Sequence, residues 1–153
     1  MAITTNYEQA REIIPEGTYE FQIGPASAAT TKGGTEYISI PMTIRKDIDQ
    51  QQKGRVLYHA IWKKHEPNNM DAQIGGYNFG SVMAILKNAG IPAGTEFDSL
   101  KDMLKAVEGK PVRCTVAHDE YNGRTSAKIN TFSPSQHPNI SNGTAVEPDD
   151  LPF

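Results

Sequence analysis

Between residues 55 and 64 the chain combines the two chemistries that an unpaired nucleic-acid strand asks of a protein. Arg55, Lys63 and Lys64 bring fixed positive charge, and Tyr58 and Trp62 bring flat rings. Cations neutralise successive phosphates, while rings stack on bases that have lost their neighbours. In a strand, Tyr58 and Trp62 share parity and project from one face. Arg45 and Lys46 close the preceding apolar segment, and Tyr37 lies on its outward face. Arg113, Tyr121, Arg124 and Lys128 are the further candidates, with Tyr121 at a hairpin tip. The competing reading makes Tyr58 and Trp62 core aromatics and leaves the cations solvated. Lys53 and Lys105 read as plain solvated charges.

A second constellation closes the sequence. Glu147-Pro148-Asp149-Asp150-Leu151-Pro152-Phe153 is acidic, then apolar, and ends on an aromatic ring. A protein with a basic-rimmed apolar pocket would bury the Phe153 ring and pair its cations with Asp149, Asp150 and the terminal carboxylate. The competing reading is a solubilising tail, which an ending of Leu-Pro-Phe does not serve.

Other chemistries find little support. His59, His65, His118 and His137 lack the close spacing of metal ligands. No paired carboxylates or local Ser/His/Asp set suggest catalysis. The run GGYNFG at 75–80 precedes a helix but lacks the Lys-Ser/Thr of a phosphate-binding loop, and reads as a flexible turn. The single Cys114 excludes an internal disulfide, sits at inward parity, and fits a reducing cytoplasm. Asn139 and Asn142 open glycosylation-type triplets without a secretory leader. The expectation is a non-catalytic, cytoplasmic protein without metal, cofactor or membrane span.

The elements that must position these residues are legible from periodicity. The chain has 153 residues, enough for one domain with a real core. Residues 6–14 suggest a short amphipathic helical piece stopped by Pro15. Alternation over 18–24 puts Tyr19, Phe21 and Ile23 inward, with Glu20 and Gln22 outward. Residues 25–35 are small and Gly-rich, hence a long mobile loop. Residues 36–45 alternate again, with Ile38, Ile40, Met42 and Ile44 inward and Pro41 marking an edge or bulge. A third strand fits 55–62. Helices fit 78–89, ending at Gly90, and 98–108, with Asp98 as N-cap. Strands over 111–117 and 124–132 flank Asn122-Gly123, a type I′ hairpin signal. From Ser133 the sequence turns Pro- and Asn-rich without periodicity, so 1–132 reads as folded and 133–153 as a disordered tail.

Charge follows this layout. The net value is −3. Residues 45–64 carry six basic against two acidic residues, and 110–133 carry four against two. Residues 1–44 and 65–109 are net acidic, and the last seven residues hold three acids. A local cationic surface is compatible with an acidic total.

The order of three strands, helix, second helix and two strands is that expected of an all-β protein with inserted helices, an OB-fold: a five-stranded Greek-key barrel with its helices between strands 3 and 4. In that fold the 25–35 and 118–124 loops and strands 2–3 bound an oligonucleotide groove. A generic α+β domain is the alternative.

The ending DDLPF resembles the acidic tip of bacterial single-stranded-DNA-binding proteins. The body is similar to a phage-encoded group of single-stranded-DNA-binding proteins, through IIPEGTYEFQI at 13–23, GGTEYISIPMTIRKDI at 33–48, FGSVMAILKNAGI at 79–91 and VEGKPVRCTVAHDEYNGR at 107–124. This resemblance implies an OB-fold, single-strand binding in phage replication or recombination, and a tail that recruits replication and repair proteins. Only the tip, Asp149 to Phe153, is carried over residue by residue, because the bacterial proteins have a different body. Homo-oligomerisation stays open. The alternatives in other classes are a peptide-binding OB module and a small metal-dependent nuclease.

Overall fold

The computed structural model describes residues 13–140. They form a mostly β structure, a six-stranded antiparallel sheet with three helices. The strands are β1 (Gly17–Ile23), β2 (Ser27–Thr30), β3 (Glu36–Ile44), β4 (Val56–Trp62), β5 (Pro111–Tyr121) and β6 (Arg124–Pro134). The helices α1 (Asn69–Gln73), α2 (Phe79–Asn88) and α3 (Leu100–Val107) all fall between β4 and β5. The sheet runs β2-β3-β1-β5-β6, and β4 pairs with the other side of β3. The far strands β4 and β6 also approach each other, with the His59 and Phe132 rings edge-on at 5.1 Å. No helix among the described residues is long and apolar enough to cross a membrane.

Alternating apolar residues build the core. Phe21, Ile23, Ile40, Met42, Ile44, Ile61, Val112 and Cys114 are fully or almost fully buried from the strands, and Val82, Ile85 and Val107 from the helices. Each large aliphatic or aromatic side chain so buried contributes about 1.5–3 kcal/mol relative to exposure. The sequence periodicity identifies this face correctly in β1, β3 and β5. Asn122 and Gly123 both have positive φ, at 52° and 74°, as a type I′ turn requires.

The structure departs from the sequence reading in four places. The stretch read as a mobile loop contains β2, which pairs with β3 from Ser27↔Ser39 to Thr30↔Glu36. The chain bends between β1 and β2 at Gly24, where a Cβ would lie 2.6 Å from the Pro41 carbonyl oxygen. Gly24 N donates to that oxygen at 2.8 Å. Pro41, which has no N–H to give, sits opposite this break in the neighbouring strand, which is why β3 tolerates it. The run Ser-Ala-Ala-Thr is too small to show alternation.

A second departure is α1, which lacks a sequence signal long enough to read. Asn68 and Asp71 close it with a reciprocal capping box. Third, Ser99 rather than Asp98 caps α3, accepting from Asp102 N at 3.1 Å. Finally, order does not stop at residue 132. β6 runs to Pro134, and residues 135–139 lie across Glu20 and Arg45. Glu20, expected to face solvent, is only 2% exposed as a result. The helical piece expected over 6–14 and the tail from 141 onward fall outside the described residues, apart from Ile13 and Ile14, which are not helical.

Candidate nucleic-acid interface

The β3–β4 pairing places three of the expected rings on one outward face. Tyr37 is in register with Trp62, and Pro41 with Tyr58. The Tyr37 and Trp62 rings lie 4.8 Å apart at a 37° tilt, and so support each other. Tyr58 is 72% exposed and Trp62 47%. Val56 is also exposed on this face. The inward residues of the same strands, Ile38, Ile40, Met42 and Ile61, are buried, so the outward rings are not core aromatics. A cluster of exposed rings and aliphatics without a packing role marks a contact surface.

Cations stand at both ends of β4. Lys63 follows Trp62; its Nζ lies 3.3 Å from Glu36 Oε2 and 5.9 Å from the centre of the Tyr77 ring. Tyr77 is a further ring, in the Gly-rich run GGYNFG, where no alternation marks it in the sequence. Gly75 and Gly76 supply its positive φ values of 78° and 93°, and the bridge from Lys63 to Tyr77 fixes the ring beside the face. Lys64 pairs with the buried Asp71 at 3.0 Å. The Phe79 amide lowers the Asp71 pKa; burial opposes this, and the Asn68 amide and Lys64 reinforce it. Lys64 therefore serves first to neutralise a carboxylate that stitches α1 to the start of α2.

At the opposite end, Arg55 and Arg124 line one cleft of about 350 Å³ with Val56, Leu57 and Ala127. Arg55 Nη1 donates to Gln52 Oε1 at 2.7 Å. Lys46 is exposed close by, its stem against Gly54. Tyr121 is 78% exposed at the hairpin tip and in register with Arg124. Tyr37, Tyr58, Trp62, Lys63 and Lys64 are thus gathered along β3–β4, with Lys46, Arg55 and Arg124 beyond its other end.

Three expected site residues do not join them. Arg45 is 2% exposed and belongs to the interior. Its guanidinium makes a bidentate pair with Asp47, at 3.0 and 2.8 Å, and donates to the carbonyls of His137 and Asn139 and to Ser135 Oγ. It also lies 3.7 Å from Glu20. Arg113 sits two strands from β3 and is turned onto Glu20 at 2.9 Å. Lys128 is paired with Asp119 at 2.8 Å on the β5–β6 arm. These four ion pairs hold the three cations at carboxylates away from the β3–β4 face. The tip candidates Asp149, Asp150, Leu151, Pro152 and Phe153 lie outside the described residues.

Two titratable groups lie behind the face, His59 half-buried and Cys114 buried. Burial lowers the His59 pKa, favouring the neutral imidazole against Phe132. Cys114 is 1% exposed, and burial followed by the Glu20 charge pushes its thiol pKa up, which fits the inert core role expected of it.

No curated protein matches the chain. Residues 2–144 match the family described as protein of unknown function (DUF669), and the chain belongs to that family.

Proposed function

We propose that this protein binds single-stranded DNA along the outward face of β3–β4. The observation that carries the reading is the pairing of exposed Tyr58 and Trp62 with cations at both ends of the same strand. Tyr58 and Trp62 offer stacking surfaces, and Lys63, Lys46, Arg55 and Arg124 offer phosphate partners. The architecture is read as an OB-fold barrel. Support comes from the strand order β4-β3-β1-β5-β6, from the approach of β4 to β6, and from helices placed between β4 and β5. The protein would coat unpaired strands in phage replication or recombination, and recruit partner proteins through Asp149–Phe153, as its resemblance to such proteins suggests. Binding is sequence-tolerant, because every base has a π-face and every nucleotide a phosphate.

A fluorescence titration with oligo-dT at two salt concentrations tests this. Tight binding that weakens with salt is expected, with duplex bound far more weakly. Equal affinity for duplex and single strand, or no affinity at all, overturns the reading.

A further inference from the structure

A cleft of about 380 Å³ opens where β4 faces β6, with the start of α2 as its third side. The two strands approach each other here, but the ladder joins β4 only to β3. The seam is therefore bridged by side chains. His59 and Phe132 meet edge-on across it, and Asn78, Ser81 and Asn130 supply the polar part of the lining. None of the described residues that line the cleft is an acid, a lysine or an arginine.

A break in register brings Asn130 there. Thr115 stands opposite Thr131 and Val116 opposite Ile129, so Asn130 is the extra residue of a β-bulge. Thr115 Oγ1 pins the bulge by accepting from Thr131 N at 3.1 Å. Bulges re-aim side chains and are over-represented beside functional sites. Neither the Asn130 nor the His59 side chain has a hydrogen-bond partner among the described residues. An amide offers both donor and acceptor, and a neutral imidazole offers one of each. Burial favours that neutral form of His59. The start of α2 has little left for an anion, because Phe79 N donates to Asp71 Oδ1 at 2.9 Å and Ser81 N to Asn78 Oδ1 at 3.1 Å.

An aromatic wall, two neutral donor-acceptor groups and no fixed charge suit a flat, uncharged heterocycle whose edge carries donors and acceptors. We propose that the β4–β6 cleft holds a single unstacked nucleobase, its edge on Asn130 and His59 and its ring beside Phe132. The cleft adjoins the ring face of β4: Asn78 N donates to the Trp62 carbonyl at 3.0 Å, and Tyr58 precedes His59 in the strand. A DNA strand lying along β4 delivers one base over the strand's unpaired edge into the seam. That route rests on the single-strand reading, whereas the fit of the cleft to a base does not. It adds a base preference at one position to a contact that otherwise tolerates any sequence. A free nucleoside is the other source of the same chemistry.

Amide spectra of the full-length chain test the cleft without a strand, using thymidine, deoxycytidine, deoxyadenosine and deoxyguanosine, each against inorganic phosphate. At least one nucleoside is expected to shift the amides of His59, Ser81 and Asn130–Phe132, and phosphate is not. Asn130→Ala, at an exposed position, should weaken that nucleoside about fivefold, as the loss of one hydrogen bond does. His59→Phe keeps a ring against Phe132 and should do the same. Titration with oligo-dT, oligo-dC and oligo-dA separates the two sources. If the strand delivers the base, Asn130→Ala alters the ranking of the three while Trp62 emission still responds. Nucleoside shifts with an unaltered ranking, or with no oligonucleotide bound at all, uphold the cleft as a nucleoside site and remove the strand as its source. Cleft amides that stay silent with every nucleoside while Asn130→Ala leaves the ranking intact overturn the proposal, and so do equal shifts with phosphate.

Discussion

Tyr58 has a side chain that the folded body hardly uses. It is 72% exposed and opposite Pro41, so its loss removes little packing. Tyr58→Ala is therefore expected to lower affinity for oligo-dT by about 1–3 kcal/mol, or about 5- to 150-fold, with an unchanged Tm. A titration and a thermal melt on the same sample check both halves. Arg45 predicts the opposite pattern. Its guanidinium is enclosed among Glu20, Asp47 and three groups of 135–139. Arg45→Met removes the buried guanidinium from beside Glu20 and its hydrogen bonds to the carbonyls of His137 and Asn139, and should cost about 3–5 kcal/mol of stability in a denaturant titration. Cys114 gives a third reading at this scale. With its thiol buried and its pKa raised, its alkylation should track unfolding, so that labelling is slow in buffer and fast beyond the denaturation midpoint. Strand parity revealed Tyr58, Trp62 and Cys114, because alternation depends on neighbours two residues away. It could not reveal the burial of Arg45, whose enclosing groups at 135–139 lie 90 to 94 positions along the chain.

At the scale of elements, the same distance effect explains why the folded part runs further than its composition suggests. Residues 133–140 are Pro-, Ser- and Asn-rich and have no periodicity, yet they close over two buried ions. Ser135 Oγ donates to Glu20 Oε1 at 2.5 Å, and Gln136 N to Glu20 Oε2 at 3.1 Å. What orders them is backbone and hydroxyl hydrogen bonding to charge, which no hydrophobic pattern records. A chain ended after residue 132 is expected to be markedly less stable than one ended after residue 140, and paired melts would show it. This latch also sets a pH dependence. Burial alone would raise the Glu20 carboxyl, but hydrogen bonds from Ser135, Arg113 and the Gln136 amide, with the Arg113 charge, outweigh it and hold the pKa below its ordinary value of 4.5. A carboxyl depressed on folding stabilises the protein fully above its unfolded pKa, and that contribution fades as pH falls through the folded value. Stability should thus decline below about pH 4.5, and Glu20→Gln should flatten that decline while lowering stability at pH 7. An unchanged acid limb in Glu20→Gln would place the acid sensitivity elsewhere. The strand β2 was hidden for a related reason: its residues are small, and what makes them a strand is the register supplied by β3.

At the scale of the whole molecule, the acidic total and the cationic face act on different quantities. A net charge of −3 disfavours indiscriminate attraction to polyanions. Contact with a strand is governed by the charges within about 8–10 Å, the range that salt leaves unscreened. Around β4 those are Lys46, Arg55, Lys63 with its half-exposed partner Glu36, and Arg124, whereas Arg45 is buried, Arg113 is turned onto Glu20 and Lys128 lies on the β5–β6 arm. If four phosphates are neutralised, the logarithm of affinity should fall with the logarithm of salt at a slope of about −3, since each contributes about −0.7 for a single strand. Counting all eight candidate cations would steepen the slope to about −6. The chain's one tryptophan is Trp62, so the intrinsic emission reports on the face directly. Stacking of a base on Trp62 should quench it, and duplex, whose bases are already stacked and turned inward, should not. The combined outcome is decisive for the arrangement: quenching by oligo-dT with a slope near −3 supports the β4 face. Salt-sensitive binding that leaves Trp62 emission untouched would move the strand to another part of the surface. Single substitutions at Arg113 and Lys128 then separate the two accounts, because on the β4 face neither should alter the slope, while loss of Lys63 or Arg124 should make it shallower by about 0.7.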